Sequence, residues 1–244
     1  EGDDQVLLQH FDKVVRVFRD HCTPAQQDII TTTTRKMAAG MADYCQRSLG
    51  RNGTDSKGDY NQYCHIVAGL VGEGLSQLWT TVGDSGLPTA SLDTLTERTG
   101  LGSLSSDMGL FLQKANIIRD YTEDQVDGRA FWPRDVWQQF APSQHRSLAA
   151  FHDSPQHEGA GLACLNAMVN DALTLAPSCF KYLSQLAPGD SRILRFCAIP
   201  QVMALCTLAE CYNNADVFRG VVKTPKTQSA RICCEVGDMD GVLS

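Results

Sequence analysis

Met108-Gly109-Leu110-Phe111-Leu112-Gln113-Lys114-Ala115-Asn116-Ile117-Ile118-Arg119-Asp120-Tyr121-Thr122-Glu123-Asp124 is the stretch whose reading decides the fold. At about 100° per residue, Gln113, Asn116, Asp120, Glu123 and Asp124 fall within an arc of about 100° on an ideal helix. Leu110, Phe111, Leu112, Ile117, Ile118 and Tyr121 occupy the rest of the circumference. The pattern predicts a helix over about 107–124, buried on nearly all sides and carrying a seam of oxygen-bearing side chains.

The same period continues outward in both directions, and alternating runs that would suit strands are nearly absent, so the chain reads as all-α. Downstream, Asp127-Gly128 ends the helix and Trp132-Pro133 opens a short one reaching about 140. A polar loop over 141–159 follows, then long helices over 161–186 and 191–213, each expected to kink at its internal proline, Pro177 or Pro200. From Lys223 onward the patterning is weak.

Upstream, a helix over 60–79 carries Ala68, Gly69, Gly72 and Gly74, costly residues for a helix interior unless another element packs very close. A Gly- and Asp-rich loop at 50–59 precedes it, and a polar segment at 81–106 containing Pro88 reads as an exposed insertion. The opening helix, over 4–20, shows an apolar face of Val6, Leu7, Phe11, Val14, Val15 and Phe18. Thr23-Pro24 then caps and starts a second helix running to about 47.

Charge excludes one class of partner: 21 basic against 28 acidic residues leave a net charge of -7, and a general nucleic-acid binder needs a basic face. No uninterrupted apolar run approaches the roughly 18 to 20 residues of a spanning helix, and the acidic start, Glu1-Gly2-Asp3-Asp4, is no signal sequence. The ten cysteines form no CxxC pair, which suits reduced thiols, and the histidines show no zinc spacing.

Carboxylates rarely enter a core unpaired, and like charges at i,i+4 repel, so the acidic seam calls for compensation. Oxygen ligands one helical turn apart suit Mg²⁺, which is commonly shared between carboxylates and a substrate phosphate. Arg119 and Arg129 lie close by, and guanidinium groups hold phosphate oxygens well. The alternative is a solvated face with Lys114 and Arg119 as ordinary partners; the apolar flanks favour the metal. In the glycine-bearing helix, Tyr63 shares a face with Val67, Leu70 and Gly74, a wall able to enclose a hydrocarbon, with a ring able to steady a cation. Alternatively, Tyr63 is a tyrosine at the edge of the core and His65 a packed histidine.

These residues resemble the squalene synthase family. The matching stretches are 63–72 (YCHIVAGLVG), 108–124 (MGLFLQKANIIRDYTED), 128–137 (GRAFWPRDVW), 196–204 (FCAIPQVMA) and 211–214 (CYNN), in order along the chain. The resemblance implies an isoprenoid-synthase-type helical bundle around a central cavity. It implies Mg²⁺ at Asp120, Glu123 and Asp124 with Asn116 nearby, and Tyr63 and Phe196 as catalytic residues of the cavity. Gln113 and Arg129 are implied at the substrate diphosphate, and Arg119 and Lys223 at NADPH. The implied reaction joins two farnesyl diphosphates head to head through presqualene diphosphate and reduces the product to squalene in sterol biosynthesis. It implies a monomer on the cytosolic face of the endoplasmic reticulum membrane.

The chain departs from the family pattern in lacking the first acidic motif, DxxED, and the C-terminal membrane anchor. The expectation is therefore a partial synthase domain over 1–225 with a tail at 226–244, inactive in isolation. In the cofactor loop, Val222-Lys223-Thr224-Pro225-Lys226-Thr227 stands where the family reads VKIRKG. A phytoene-synthase-like prenyl transferase and a catalytically dead helical scaffold are the competing readings.

Overall fold

The computed structural model describes residues 5–47, 49–50, 52–83, 86–141, 147–153 and 157–243, and no strand occurs among them. The helices are α1 (Gln5–Gln9), α2 (Phe11–His21), α3 (Pro24–Arg47), α4 (Lys57–Cys64), a π turn (His65–Gly69) and α5 (Leu70–Thr81). There follow α6 (Thr89–Thr96), α7 (Leu104–Arg119), α8 (Tyr121–Val126), α9 (Arg134–Trp137), α10 (Ala150–Asp153) and α11 (Glu158–Leu173). The chain then forms α12 (Ala176–Leu186), α13 (Ser191–Cys211), a 3-10 turn (Ala215–Phe218), α14 (Lys226–Glu235) and α15 (Met239–Leu243). The acidic opening at 1–4 and parts of the loops at 50–59, 81–106 and 141–159 lie outside the described residues.

α7 is the axis of the fold. Its apolar circumference lets it pack on α5, the π turn, α11, α12 and α13 at once, and eleven of its residues are buried. The glycines of the 60–79 region explain themselves here: a Cβ on Gly72 would sit 2.0 Å from the Ser105 carbonyl oxygen, and one on Gly109 2.2 Å from that of Ala68. α5 and the π turn thus meet α7 backbone to backbone. One apolar core gathers Phe111, Ile118, Tyr121, Trp132, Trp137 and Phe218 around the C-terminal half of α7; a second joins α12, α13 and Leu95.

The start of α7 is set by Ser103, whose Oγ accepts a hydrogen bond from the Ser106 amide at 3.2 Å. Ser103→Ala should therefore cost about 1 kcal/mol, as loss of a helix N-cap generally does. A fall in melting temperature of about 2 to 4 °C is expected in thermal unfolding followed by circular dichroism.

Several elements differ from the sequence reading. The helix expected over 107–124 starts at Leu104 and has a joint at Asp120 (φ -88, ψ 13), where α7 gives way to α8. The helix expected over 161–186 is two, because Pro177 occupies the first turn of α12, where a missing N–H costs nothing. Pro200 instead sits inside an unbroken α13. The segment at 81–106 is no mere insertion: α6 packs on α5 and α12 and buries Leu95. The tail forms α14 and α15, which bury Ile232, Val236 and Val242.

Among the described residues the N-terminal apolar face finds little cover: Val6, Leu7, Phe11, Val14 and Val15 are exposed, Phe18 is half-buried, and neither α1 nor α2 contains a buried residue. Amphipathic spacing shows that a helix has a face to bury, not what buries it. α13 does reach the length and composition of a membrane-crossing helix, which a count of uninterrupted apolar residues misses because Arg192, Arg195, Gln201 and Glu210 interrupt the run. It packs on α7, α11, α12 and α14, as a core helix also does. All ten cysteines are free thiols.

Candidate active site

α4 is launched by Ser56, whose Oγ accepts from the Asp59 amide at 3.2 Å, and its last turn presents Tyr63. The helix then widens into the π turn, a local insertion of a kind common at functional sites. His65 in that turn is buried, its Nδ1 2.8 Å from Ser106 Oγ. This places His65 between α7 and the π turn as a packed residue of the core, the alternative reading of the sequence.

Tyr63 faces a cleft of about 280 Å³ lined by Met41, Tyr44, Val67, Arg129 and Phe131 among others. Its ring stacks on Phe131 with centroids 5.0 Å apart and 21° between planes, and meets Tyr44 edge-on at 5.1 Å. Burial pushes the phenol up to about 12, with neighbouring Cys64 and Asp124 adding and Arg129 opposing. The hydroxyl therefore stays protonated across the physiological range. Tyr44 is anchored in turn: its hydroxyl donates to Asp59 Oδ1 at 2.8 Å, and Arg47 grips the same carboxylate with both ends of its fork.

The acidic residues meet the cleft at its charged edge. Asp124 is 13% exposed and lies 3.2 Å from Arg129, the one charged residue among the described residues that line the cleft. Desolvation pushes Asp124 up to about 6, Arg129 opposing and Asp120 and Asp127 adding. Asp120, at the helix joint, accepts both arms of Arg119 at 2.7 Å. Glu123 and Asn116 are exposed and Gln113 is half-buried. Among the described residues no group of three His, Cys, Asp or Glu side chains is arranged to hold a metal ion.

Tyr63, Asp124 and Arg129 are thus brought together, while Arg119 and Asp120 form an adjoining pair. Arg119 also opposes the upward shift of the buried Cys211 thiol on α13, a shift caused by burial. Lys223 is exposed, and its neighbour Thr224 meets Thr207, one turn before Cys211, with hydroxyls 3.3 Å apart. The backbone beside Lys223 thus passes α13 one turn before Cys211, while the Lys223 side chain is turned to solvent. Phe196 is 60% exposed, edge-on to Trp79 at 6.2 Å, and is not among the residues of the cleft.

Two wall residues, Tyr44 and Phe131, escape sequence reasoning. Phe131 lies within the GRAFWPRDVW stretch, where the neighbouring tryptophans dominate the pattern. Tyr44 is the one buried residue of the 24 in α3, and nothing local distinguishes it.

Comparison with known proteins gives a consistent picture. The squalene/phytoene synthase family profile matches residues 2–228. Squalene synthase ERG9 of Candida albicans is 44% identical over 243 residues, covering 98% of this chain and 51% of its own length. The squalene synthase of Rattus norvegicus is 39% identical over 238 residues, covering 98% of this chain and 52% of its own. A solved structure of TcSQS with the ligand BPH1237 superposes with a TM-score of 0.87 at 40% identity, covering 100% of this chain and 65% of that one. The chain spans about half the length of the curated relatives it matches.

Proposed function

The chain belongs to the squalene/phytoene synthase family, and from that premise we propose that it serves the head-to-head condensation of two farnesyl diphosphates to presqualene diphosphate and its NADPH-dependent reduction to squalene. The observation that carries this reading is the meeting of an aromatic, apolar cleft with a paired guanidinium and carboxylate edge at Arg129 and Asp124. A prenyl diphosphate has the same two halves: a hydrocarbon tail and a polyanionic head.

The donor set suits a hard divalent cation. Asp120 and Asp124 lie one helical turn apart, the Asp124 amide donating to the Asp120 carbonyl at 2.9 Å, and Asp124 is a desolvated carboxylate beside like charges, which gains from an added cation. Asp120 and Asp124 would hold Mg²⁺, with Glu123 and Asn116 beside them, and the metal would supply charge neutralisation for the departing diphosphate. Arg129 binds diphosphate oxygens through its fork and keeps Asp124 in place meanwhile. Gln113, on the same side of α7, orients the head group. The stacked rings of Tyr63 and Phe131 keep water from the reacting carbons and steady positive charge over their faces. Tyr63, protonated up to about 12, can offer a proton to a leaving oxygen or hold one at its hydroxyl. On the resemblance alone, Arg119 and Lys223 are assigned as the two cations for the NADPH phosphates and Phe196 to the cavity wall.

Calorimetry with a non-hydrolysable farnesyl thiodiphosphate tests the proposal. Binding that needs Mg²⁺ and disappears on adding a chelator is expected; binding indifferent to the metal, or none, overturns it.

A further inference from the structure

Outside the cleft the protein buries a second charged cluster that the proposed chemistry leaves unused. Lys114, on α7, is 3% exposed, and its Nζ lies 2.6 Å from Asp171 Oδ2 on α11. Lys57, at the start of α4, pairs with the same carboxylate. The Lys114 ammonium also sits 5.3 Å from the centre of the Tyr60 ring, itself fully buried on α4. Among the described residues the Tyr60 hydroxyl reaches no oxygen or nitrogen partner and adjoins only the Cys64 thiol one turn on, so it is the ring face that the phenol offers the ammonium. Burial alone would raise the Asp171 carboxyl, but Lys114 and Lys57 hold it below the usual carboxylate range.

Stability does not explain such a cluster. Taking two charges out of water costs about as much as their attraction returns, and a well-packed apolar pair in their place is often neutral or better. What an ion pair adds is register. Apolar helix faces can slide by a residue at modest cost, whereas sliding α7 against α11 would strand an ammonium in the core.

The helices held are those that build the site: Tyr60 stands one turn before Tyr63 on α4, and Lys114 stands six residues before Asp120 on α7. We propose that Lys114 is a positioning residue, its buried pair with Asp171 over the Tyr60 ring locking α4, α7 and α11 so that Tyr63 and the Asp120–Asp124 joint share one cleft. This inference rests on the reading of the cleft given above.

The test compares the wild-type chain with Asp171→Leu and with the double variant Lys114→Met/Asp171→Leu. Three measurements are made: melting temperature, the nuclear Overhauser contact between the Tyr63 and Phe131 rings, and Mg²⁺-dependent binding of farnesyl thiodiphosphate. Asp171→Leu should melt lowest, because it leaves Lys114 buried without its anion. The double variant should recover the melting temperature yet lose the ring contact and bind at least about tenfold more weakly, about 1.4 kcal/mol. A double variant with restored stability, an intact ring contact and unchanged binding overturns the proposal.

Should the apolar pair fail to fold, Lys114→Gln/Asp171→Asn keeps shape and a hydrogen bond without charge and is read by the same criteria. If the wild type shows no metal-dependent binding, the functional reading fails, while the ring contact still decides the positioning role.

Discussion

Gly109→Ala is expected to destabilise the protein by about 3 kcal/mol or more, at or beyond the top of the usual range for overpacking. The added methyl would lie 2.2 Å from the Ala68 carbonyl oxygen and 2.5 Å from its carbon. Both are backbone atoms of the π turn and have no rotamer through which to retreat. Relief requires moving α7 away from the π turn, and α7 is held on its other sides by α11, α12 and α13. The higher helix propensity of alanine, about 1 kcal/mol, offsets little of this.

Gly72→Ala should behave alike, its methyl 2.0 Å from the Ser105 carbonyl oxygen. A melting temperature lowered by about 6 to 12 °C is the expected reading for either variant. Gly159→Ala, also in a helix but with nothing within 4 Å of its added methyl, is the control and should be neutral or slightly stabilising. If the first two variants melt with the control, α5, the π turn and α7 are not in backbone contact.

That contact shows where sequence reading succeeds and where it stops. The glycines at 69, 72 and 74 announce a close approach, because only proximity justifies their helical cost, but they do not name the partner. The identity of α7 as a buried helix is legible because its apolar residues run almost all the way round. The joint at Asp120 is not, because hydrophobic period passes straight through 116–124 and records no change of axis. Likewise Pro177 is a helix start rather than a kink because the 161–186 stretch was already two helices, a fact periodicity hides.

Within the site, the association of Tyr63, Asp124 and Arg129 follows from the stretches that resemble the squalene synthases. The rest depends on long-range packing. Tyr44 and Phe131 are 87 residues apart. Lys114 and Asp171 are separated by 57, and nothing local marks either as buried. Only the alternative reading of the sequence gives Lys114 a role, as an ordinary partner on a solvated face; the fold puts it in the core, where the carboxylate that receives it, Asp171, lies on a different helix.

The pH dependence of metal binding should be set by Asp124. Its carboxyl is pushed up to about 6 in the folded chain, above the ordinary value near 3.8. The folded state therefore holds the proton more tightly than the unfolded state, and stability from this group falls as pH rises from about 4 through 6. The penalty above that window is on the order of 1 to 2 kcal/mol once solvent screening is allowed for.

A divalent cation binds the ionised carboxylate only, so between about pH 6 and pH 4 Mg²⁺ affinity should drop by about tenfold per unit, and binding should release a proton. Asp124→Asn removes the charge without the shape. It should bind Mg²⁺ at least about a hundredfold more weakly near pH 8, as loss of a charged ligand implies, and show no proton release assignable to this site. In metal-free unfolding the same variant should be more stable than wild type at pH 8 and lose that advantage near pH 4, because the desolvated charge is gone. Titration calorimetry in two buffers of different ionisation enthalpy reads the proton count directly. A wild-type Mg²⁺ affinity that is flat from about pH 5 to 7, or an Asp124→Asn variant that binds the metal as wild type does, would remove Asp124 from the site and with it the electrostatic logic that joins the acidic joint to the cleft.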